Sequence, residues 1–314
     1  MSLPDYAIEA SGLVKTYAAT KTTPAKTALN GVDLKIPRGS IFGLLGPNGA
    51  GKSTFINILS GLVRKTSGTV KIWDRDIDLR PRDARAAIGV VAQEIVADVF
   101  FTPRESLEVQ AGLFGVPKRE RRTAELLAAV GLSDKAEAYV RQLSGGMKRR
   151  LMVAKAMTHN PPVLILDEPT AGVDVELRRQ LWAYVVGLNQ KGVTVVLTTH
   201  YLEEAQELCD TIAIVNRGQV VACEPTGQLL RRLDTRTVVI TPQSPLGEVP
   251  ALGRFEGRLR AGGELAVTFK TSEAGVEQVL AAVREAGVAI HDLATEDPDL
   301  EDVFMALTYD AAAA

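Results

Sequence analysis

The stretch Gly46-Pro47-Asn48-Gly49-Ala50-Gly51-Lys52-Ser53-Thr54 constrains this chain more than any other. It follows Ser40-Ile41-Phe42-Gly43-Leu44-Leu45, an apolar run of strand length, and precedes Phe55-Ile56-Asn57-Ile58-Leu59, which has helical character. A G-x-x-x-x-G-K-S match between a strand and a helix is the context in which such a loop cradles phosphates. Gly46, Gly49 and Gly51 can take backbone angles closed to other residues, so successive N–H groups can converge on an anion. The helix opening at Gly51 adds its positive end and unpaired amides. Lys52 would reach the terminal phosphates, and the Ser53 hydroxyl would hold Mg²⁺. The stretch reads as a nucleotide-phosphate site.

A phosphate loop of this kind needs a metal-holding acid, and Leu166-Asp167-Glu168-Pro169 supplies one at the end of an aliphatic run. Asp167 would hold the cation, and Glu168 could polarise the attacking water as general base. Two adjacent carboxylates repel each other, which is better tolerated beside a dication than on a bare surface. Ser144, ahead of Gly145-Gly146-Met147, reads on its own as a helix N-cap.

The 314 residues allow about two domains. A net charge of −2 argues against a nucleic-acid partner, whose binding surface would be strongly basic. The longest apolar runs, such as Val193-Thr194-Val195-Val196-Leu197, fall far short of the roughly 18 residues of a membrane span. Met1-Ser2-Leu3-Pro4-Asp5 has neither the basic start nor the apolar core of a secretory signal. Cys209 and Cys223 are too few for a disulfide framework and lack metal-site spacing. A cytosolic chain is expected, with any membrane role supplied by a partner.

Along the chain, Ile8–Tyr17, Leu29–Ile36, Gly68–Trp73 and Ile88–Ala92 read as strands. Glu105–Phe114, Glu125–Val130 and Met147–Met157 carry helical periods punctuated by Gly and Pro, a helical lobe over about 94–160. Val163–Leu166 and Val193–Leu197 are continuous aliphatic runs suited to central parallel strands, with a helix over Glu176–Leu188 between them. Asn216-Arg217-Gly218 signals a hairpin. Beyond Leu233, strands at Thr237–Thr241, Leu265–Phe269 and Val288–Leu293 and helices at Glu273–Ala286 and Leu300–Leu307 suggest a small α+β module.

Taken together, Gly46–Thr54, Gln93, Leu143-Ser144-Gly145-Gly146-Met147, Asp167-Glu168, Ala171-Gly172-Val173-Asp174 and His200 occur in an order that resembles the nucleotide-binding subunit of an ABC transporter, over about Ile8–Leu230. The resemblance implies an α/β fold: a P-loop NTPase core with a mainly parallel sheet, an N-terminal antiparallel β subdomain, an inserted α-helical subdomain and a small α+β C-terminal module. The implied domains are 1–232, nucleotide-binding, and 233–314, accessory. Two copies would pack head to tail as a homodimer, each ATP lying between one copy's phosphate loop and the other's Ser144-Gly145-Gly146-Met147 helix start. By the same resemblance Tyr17 stacks on adenine, Gln93 meets Mg²⁺ and the attacking water, Asp174 supports the partner's site across the interface, and His200 contacts the γ-phosphate. Met147 departs from the family's usual Gln and cannot donate a hydrogen bond. His159 and His291 match no motif and read as structural or exposed.

The interval from Gln93 to Ser144 leaves no room for a long coiled coil, and one set of motifs per chain differs from translation-factor relatives. Thr198-Thr199-His200-Tyr201-Leu202-Glu203-Glu204-Ala205, the signature stretch through Arg150 and the tail Asp299-Leu300-Glu301-Asp302-Val303-Phe304 resemble the ABC-2-type exporter ATPases, including the daunorubicin-resistance-like group. That resemblance implies ATP hydrolysis, a separately encoded ABC-2 permease, and attachment through it to the cytoplasmic face of the inner or plasma membrane. A non-transport ABC ATPase acting on a soluble partner is the alternative. Val96–Phe101 is expected either to receive a cytoplasmic helix of the permease or, through Val99, Phe100 and Phe101, to fill the helical lobe.

Overall fold

The computed structural model describes residues 3–21, 24–94, 98–170, 173 and 175–308, leaving the Leu177 side chain aside. It divides into two compact units, Met1–Thr226 and Gly227–Ala314.

The first unit opens with β1 (Tyr6–Tyr17) and β2 (Lys26–Pro37), joined antiparallel, and β4 (Ser67–Ile72) and β5 (Arg75–Asp76) complete an antiparallel sheet in the order β2-β1-β4-β5. In β2, buried Val32, Leu34 and Ile36 alternate with exposed Gly31, Asp33 and Lys35, the pattern of a strand covered on one face.

A six-stranded sheet follows, built from β3 (Ile41–Leu45), β6 (Ile88–Val91), β7 (Val163–Asp167), β8 (Thr194–Thr198), β9 (Thr211–Asn216) and β10 (Gln219–Pro225). Its order is β10-β9-β3-β8-β7-β6, parallel except for the β9–β10 hairpin. Every residue of β3 and β8 is buried, as central strands covered on both faces require. The hairpin turns on Arg217 and Gly218, both at positive φ, the backbone of a type I′ turn.

Helices α1 (Lys52–Leu59), α2 (Pro81–Ala86), α6 (Val175–Gln190) and α7 (Leu202–Leu208) connect these strands. Phe55, Ile56, Ile58 and Leu59 of α1 pack into one core with Phe42 and Leu44 of β3, Ile165 of β7 and Val196 of β8. Burying each such side chain contributes about 1.5–3 kcal/mol.

Between β6 and β7 lies the helical lobe, with α3 (Pro103–Leu113), α4 (Thr123–Ala129) and α5 (Gly145–Ala156). A capping box fixes the start of α3: Glu105 N–H donates to Thr102 Oγ1 and Thr102 N–H to a Glu105 carboxylate oxygen. Within Val96–Phe101, residues 96 and 97 lie outside the described ones. Val99 is 41% and Phe100 72% exposed, so neither fills the lobe's interior.

The second unit starts with the short α8 (Thr226–Leu230), whose first residue closes the unit before it. Its antiparallel sheet has the order β12 (Glu256–Leu259), β13 (Leu265–Lys270), β11 (Thr235–Pro242), β14 (Ile290–Glu296). Val279 and Val283 of α9 (Val276–Glu285) pack against Val238, Ile240, Leu265, Val267 and Phe269; α10 (Leu300–Thr308) closes the chain. Strand β12 has no apolar run in sequence. It forms because the edge of β13 offers it a ladder, Glu256 opposite Thr268 through Leu259 opposite Leu265. Helix α9 is shorter than its periodicity predicts, because Gly275 is extended and caps the helix at Val276.

Candidate active site

Parallel strands present their carboxyl ends at one sheet edge, and in this sheet the order reverses at β3, flanked by β8 and β9. Four candidate segments leave that edge: Gly46–Lys52 after β3, Gln93 after β6, Asp167-Glu168 at the end of β7, and His200 after β8.

The loop geometry explains its glycines. Gly46 (φ +156) and Gly51 (φ +115) lie where a side chain is strained, and a Cβ would come within 2.2 Å of the Val215 carbonyl oxygen and 2.6 Å of that of Ala28. Gly218 N–H donates to the Ala50 carbonyl at 2.9 Å, pinning the loop to the hairpin. Gly51 is the left-handed N-cap of α1 and offers no side-chain cap, so the first amides of that helix keep their donors for an anion. Asn48, Gly49 and Ser53 are exposed, Pro47 and Thr54 half-buried, and Ala50 buried.

The Lys52 ammonium folds back on the loop, donating to the Gly46 carbonyl at 2.6 Å and the Pro47 carbonyl at 3.3 Å. Burial lowers its pKa, while the charges of Glu168 and Asp167 oppose that shift. Tyr17 approaches the same region, its hydroxyl 3.5 Å from Thr54 Oγ1 and its ring under the Lys15 ammonium. The Lys26 ammonium lies beside Gly49, 3.9 Å from where a Cβ would be, a cation the sequence reading did not single out.

Glu168 collects the other segments. Its side chain is 11% exposed, and its backbone has φ +49, an uncommon conformation for a non-glycine residue. Gln93 Nε2 donates to Oε2 at 2.5 Å, and His200 Nδ1 lies 3.1 Å from Oε1. Asp167 is half-buried, and burial raises its pKa; a hydrogen bond from Thr198 opposes the rise and the Glu168 charge adds to it. Buried oxygen donors with unfavourable charge suit a hard cation. Among the described residues, however, no group of three or more His, Cys, Asp or Glu could hold one. A Mg²⁺ here would draw its other ligands from nucleotide phosphates and water, its ordinary mode.

Ser144 caps α5, its Oγ accepting from Met147 N–H at 3.3 Å, a long bond at an exposed helix start. Gly145 is exposed, and Gly146 and Met147 are half-buried. Among the described residues, no hydrogen bond joins these four directly to Gln93, Glu168 or His200. Asp174, with Ala171 and Gly172, lies outside the described residues. His159 is structural: Nε2–H donates to the Ile88 carbonyl at 2.9 Å and the ring stacks on Phe114 at 3.7 Å. His291 is exposed.

Two further residues serve the cluster. Thr198 links Asp167 and the Glu168 backbone, and Arg149 holds the backbone at Ala92 and Gln93. Both stand in motifs legible in sequence, but their partners are distant along the chain.

A glycine loop closing β3, with Asp167 ending β7 and Glu168 directly after it, one strand beyond β8, defines a P-loop nucleotide-hydrolase core. The profile of the ABC transporter family matches residues 29–171. The chain is 35% identical over 319 aligned positions to the daunorubicin/doxorubicin resistance ATP-binding protein DrrA of Streptomyces peucetius, covering 97% of this chain and 93% of that protein. It is 34% identical to the linearmycin resistance ATP-binding protein LnrL of Bacillus subtilis (96% and 98% covered) and 36% to the Nod factor export ATP-binding protein I of Rhizobium sp. strain N33 (96% and 97%). A solved ATP-binding subunit of an ABC transporter superposes with TM-score 0.65 at 28% identity, covering 74% of this chain and 93% of its own. A dimeric ATP-binding cassette holding ADP and phosphate after hydrolysis gives 0.62 at 29% identity, with 70% and 98% covered.

The chain belongs to the ABC transporter family of ATP-binding proteins. It is an ATP-binding and ATP-hydrolysing subunit of an ABC exporter. Among the described residues, no helix is long and apolar enough to cross a membrane.

Proposed function

We propose that residues 1–232 form a nucleotide-binding engine that works as a homodimer beneath a separately encoded ABC-2 permease, with 233–314 as an accessory module, at the cytoplasmic face of the inner or plasma membrane. The observation that carries the catalytic part is the convergence of Gln93 and His200 on the two carboxylate oxygens of Glu168, beside the phosphate loop's Lys52.

In this reading Tyr17 stacks on adenine, and the Gly46–Thr54 loop with the amides of α1 holds the phosphates. Lys52 exchanges its loop carbonyls for phosphate oxygens. Ser53, Asp167 and Gln93 would hold Mg²⁺, which would offset phosphate charge. Glu168 accepts the proton of the attacking water. Gln93, which donates to Glu168 Oε2, lies within reach of the same water. His200 turns from Oε1 toward the γ-phosphate. The Ser144-Gly145-Gly146-Met147 start of α5 meets the nucleotide of the other copy, and Asp174 braces that interface. Charge-assisted hydrogen bonds contribute about 1.5–3 kcal/mol each, so a few suffice to favour closure until the γ-phosphate is lost.

The test is ATP-driven association of Glu168→Gln, followed by light scattering with the purified subunit. A dimer with Mg-ATP and a monomer with Mg-ADP are expected. A monomer under both conditions, alone and with the permease, removes the sandwiched nucleotide.

A further inference from the structure

Arg149 lies in the second turn of α5 and is only 5% exposed. Its Nη1 donates to two successive backbone carbonyls, Ala92 at 3.0 Å and Gln93 at 2.8 Å, while its Nε has no acceptor. Among the described residues it forms no ion pair; Glu168 is the acid whose charge offsets the cost of its burial. A buried guanidinium without a paired carboxylate is a poor device for stability, and an apolar side chain of similar size would hold the helix at less cost. What an apolar side chain could not do is grip those carbonyls. They belong to a segment that has left β6, and one of them is that of Gln93, whose amide sits on Glu168.

Helix α5 is continuous from Gly145 to Ala156. Its serine-capped start, Arg149, the Gln93 backbone and the Glu168 carboxylate therefore form one line of contacts. We propose that Arg149 is a positioning residue that ties the Gln93 segment to α5, so that the position of the helix sets whether the Gln93 amide rests on Glu168. A shift of α5 without Gln93 would strand a buried cation, which makes helix and segment move together. This rests on the reading of Glu168 as the base.

A double-mutant cycle tests the tie, with ATP turnover of the full chain as the readout. Arg149→Met is expected to change kcat at least about fivefold, in the same direction as Gln93→Ala, with KM for ATP within about twofold of the parent. Combining them should change kcat by less than about twofold beyond either alone, because both break the same link. Arg149→Lys, which keeps the charge and can still reach a carbonyl, should lie between parent and Arg149→Met. If Arg149→Met no longer binds ATP, the cycle is read with Arg149→Lys on the same criterion. Multiplicative effects, or a change confined to KM, overturn the proposal. Glu168→Gln is assayed alongside: undiminished turnover in it defeats the catalytic reading, whereas its loss of turnover together with an additive cycle defeats only the role of Arg149.

Discussion

The Thr198 hydroxyl donates to Asp167 Oδ1 at 2.5 Å and lies 3.1 Å from the Glu168 backbone N–H, so one side chain at the end of β8 orients both acids at the end of β7. Thr198→Val keeps the shape and removes the bond. Hydrogen bonds to charged groups contribute about 1.5–3 kcal/mol, so kcat/KM for ATP is expected to fall roughly 10- to 100-fold. Phosphate release kinetics measure this, and a decrease smaller than twofold contradicts it.

Lys52→Ala should act on affinity rather than chemistry. The ammonium is already desolvated and held by loop carbonyls that a phosphate would replace. One charge-assisted contact at about 1.5–3 kcal/mol predicts ATP binding about 10- to 100-fold weaker, measurable by calorimetric titration. Unaltered affinity would separate Lys52 from the nucleotide.

Gly46→Ala should destabilise the nucleotide-free protein as well as weaken ATP binding. Its Cβ would meet the Val215 carbonyl oxygen at 2.2 Å, and backbone atoms of a strand cannot swing aside as a flexible side chain can. A loss of at least about 1–3 kcal/mol is expected from local strain of this kind, read as a lower melting temperature.

Phe100 is 72% exposed beside Val99, itself 41% exposed, and the two together offer apolar surface to a partner. Phe100→Ala is expected to leave ATP turnover of the isolated subunit unchanged within about twofold, as surface changes usually do. Stimulation of turnover by the permease should fall. Equal stimulation of both forms, measured in reconstituted vesicles, dismisses Phe100 as a docking side chain.

His159 gives a pH dependence of stability. Burial lowers its pKa below the ordinary histidine value, with the bond to the Ile88 carbonyl opposing, and its Nδ1 has no partner. The unfolded chain thus takes up the proton first as pH falls through the range near 6.5, and stability contributed by the neutral ring is lost on acidification. Between about pH 7.5 and 5.5 the melting temperature should fall more in the parent than in His159→Gln, which keeps a donor for Ile88 but does not titrate. Equal slopes would assign the acid sensitivity elsewhere.

Much of this arrangement is written in short stretches of sequence. The glycines of residues 46–51 declare their loop because each answers a backbone demand of its own position, and the unbroken aliphatic runs of β7 and β8 declare burial on both faces. The acid pair followed from its place at a strand end. Strand β12 did not, since Glu256-Gly257-Arg258-Leu259 has no periodicity and is a strand only because β13 is there to pair with it.

Sequence alone thus determined where the phosphate loop lies, the class of core and the place of the acid pair at a strand end, because neighbouring residues fix local conformation and burial. Only the tertiary structure decided that Gln93 and His200, 75 residues before and 32 after Glu168, share its carboxylate, and that Arg149 holds the Gln93 backbone. Those meetings depend on strand order and register. Both are set by packing across the whole sheet, which no local stretch of residues encodes.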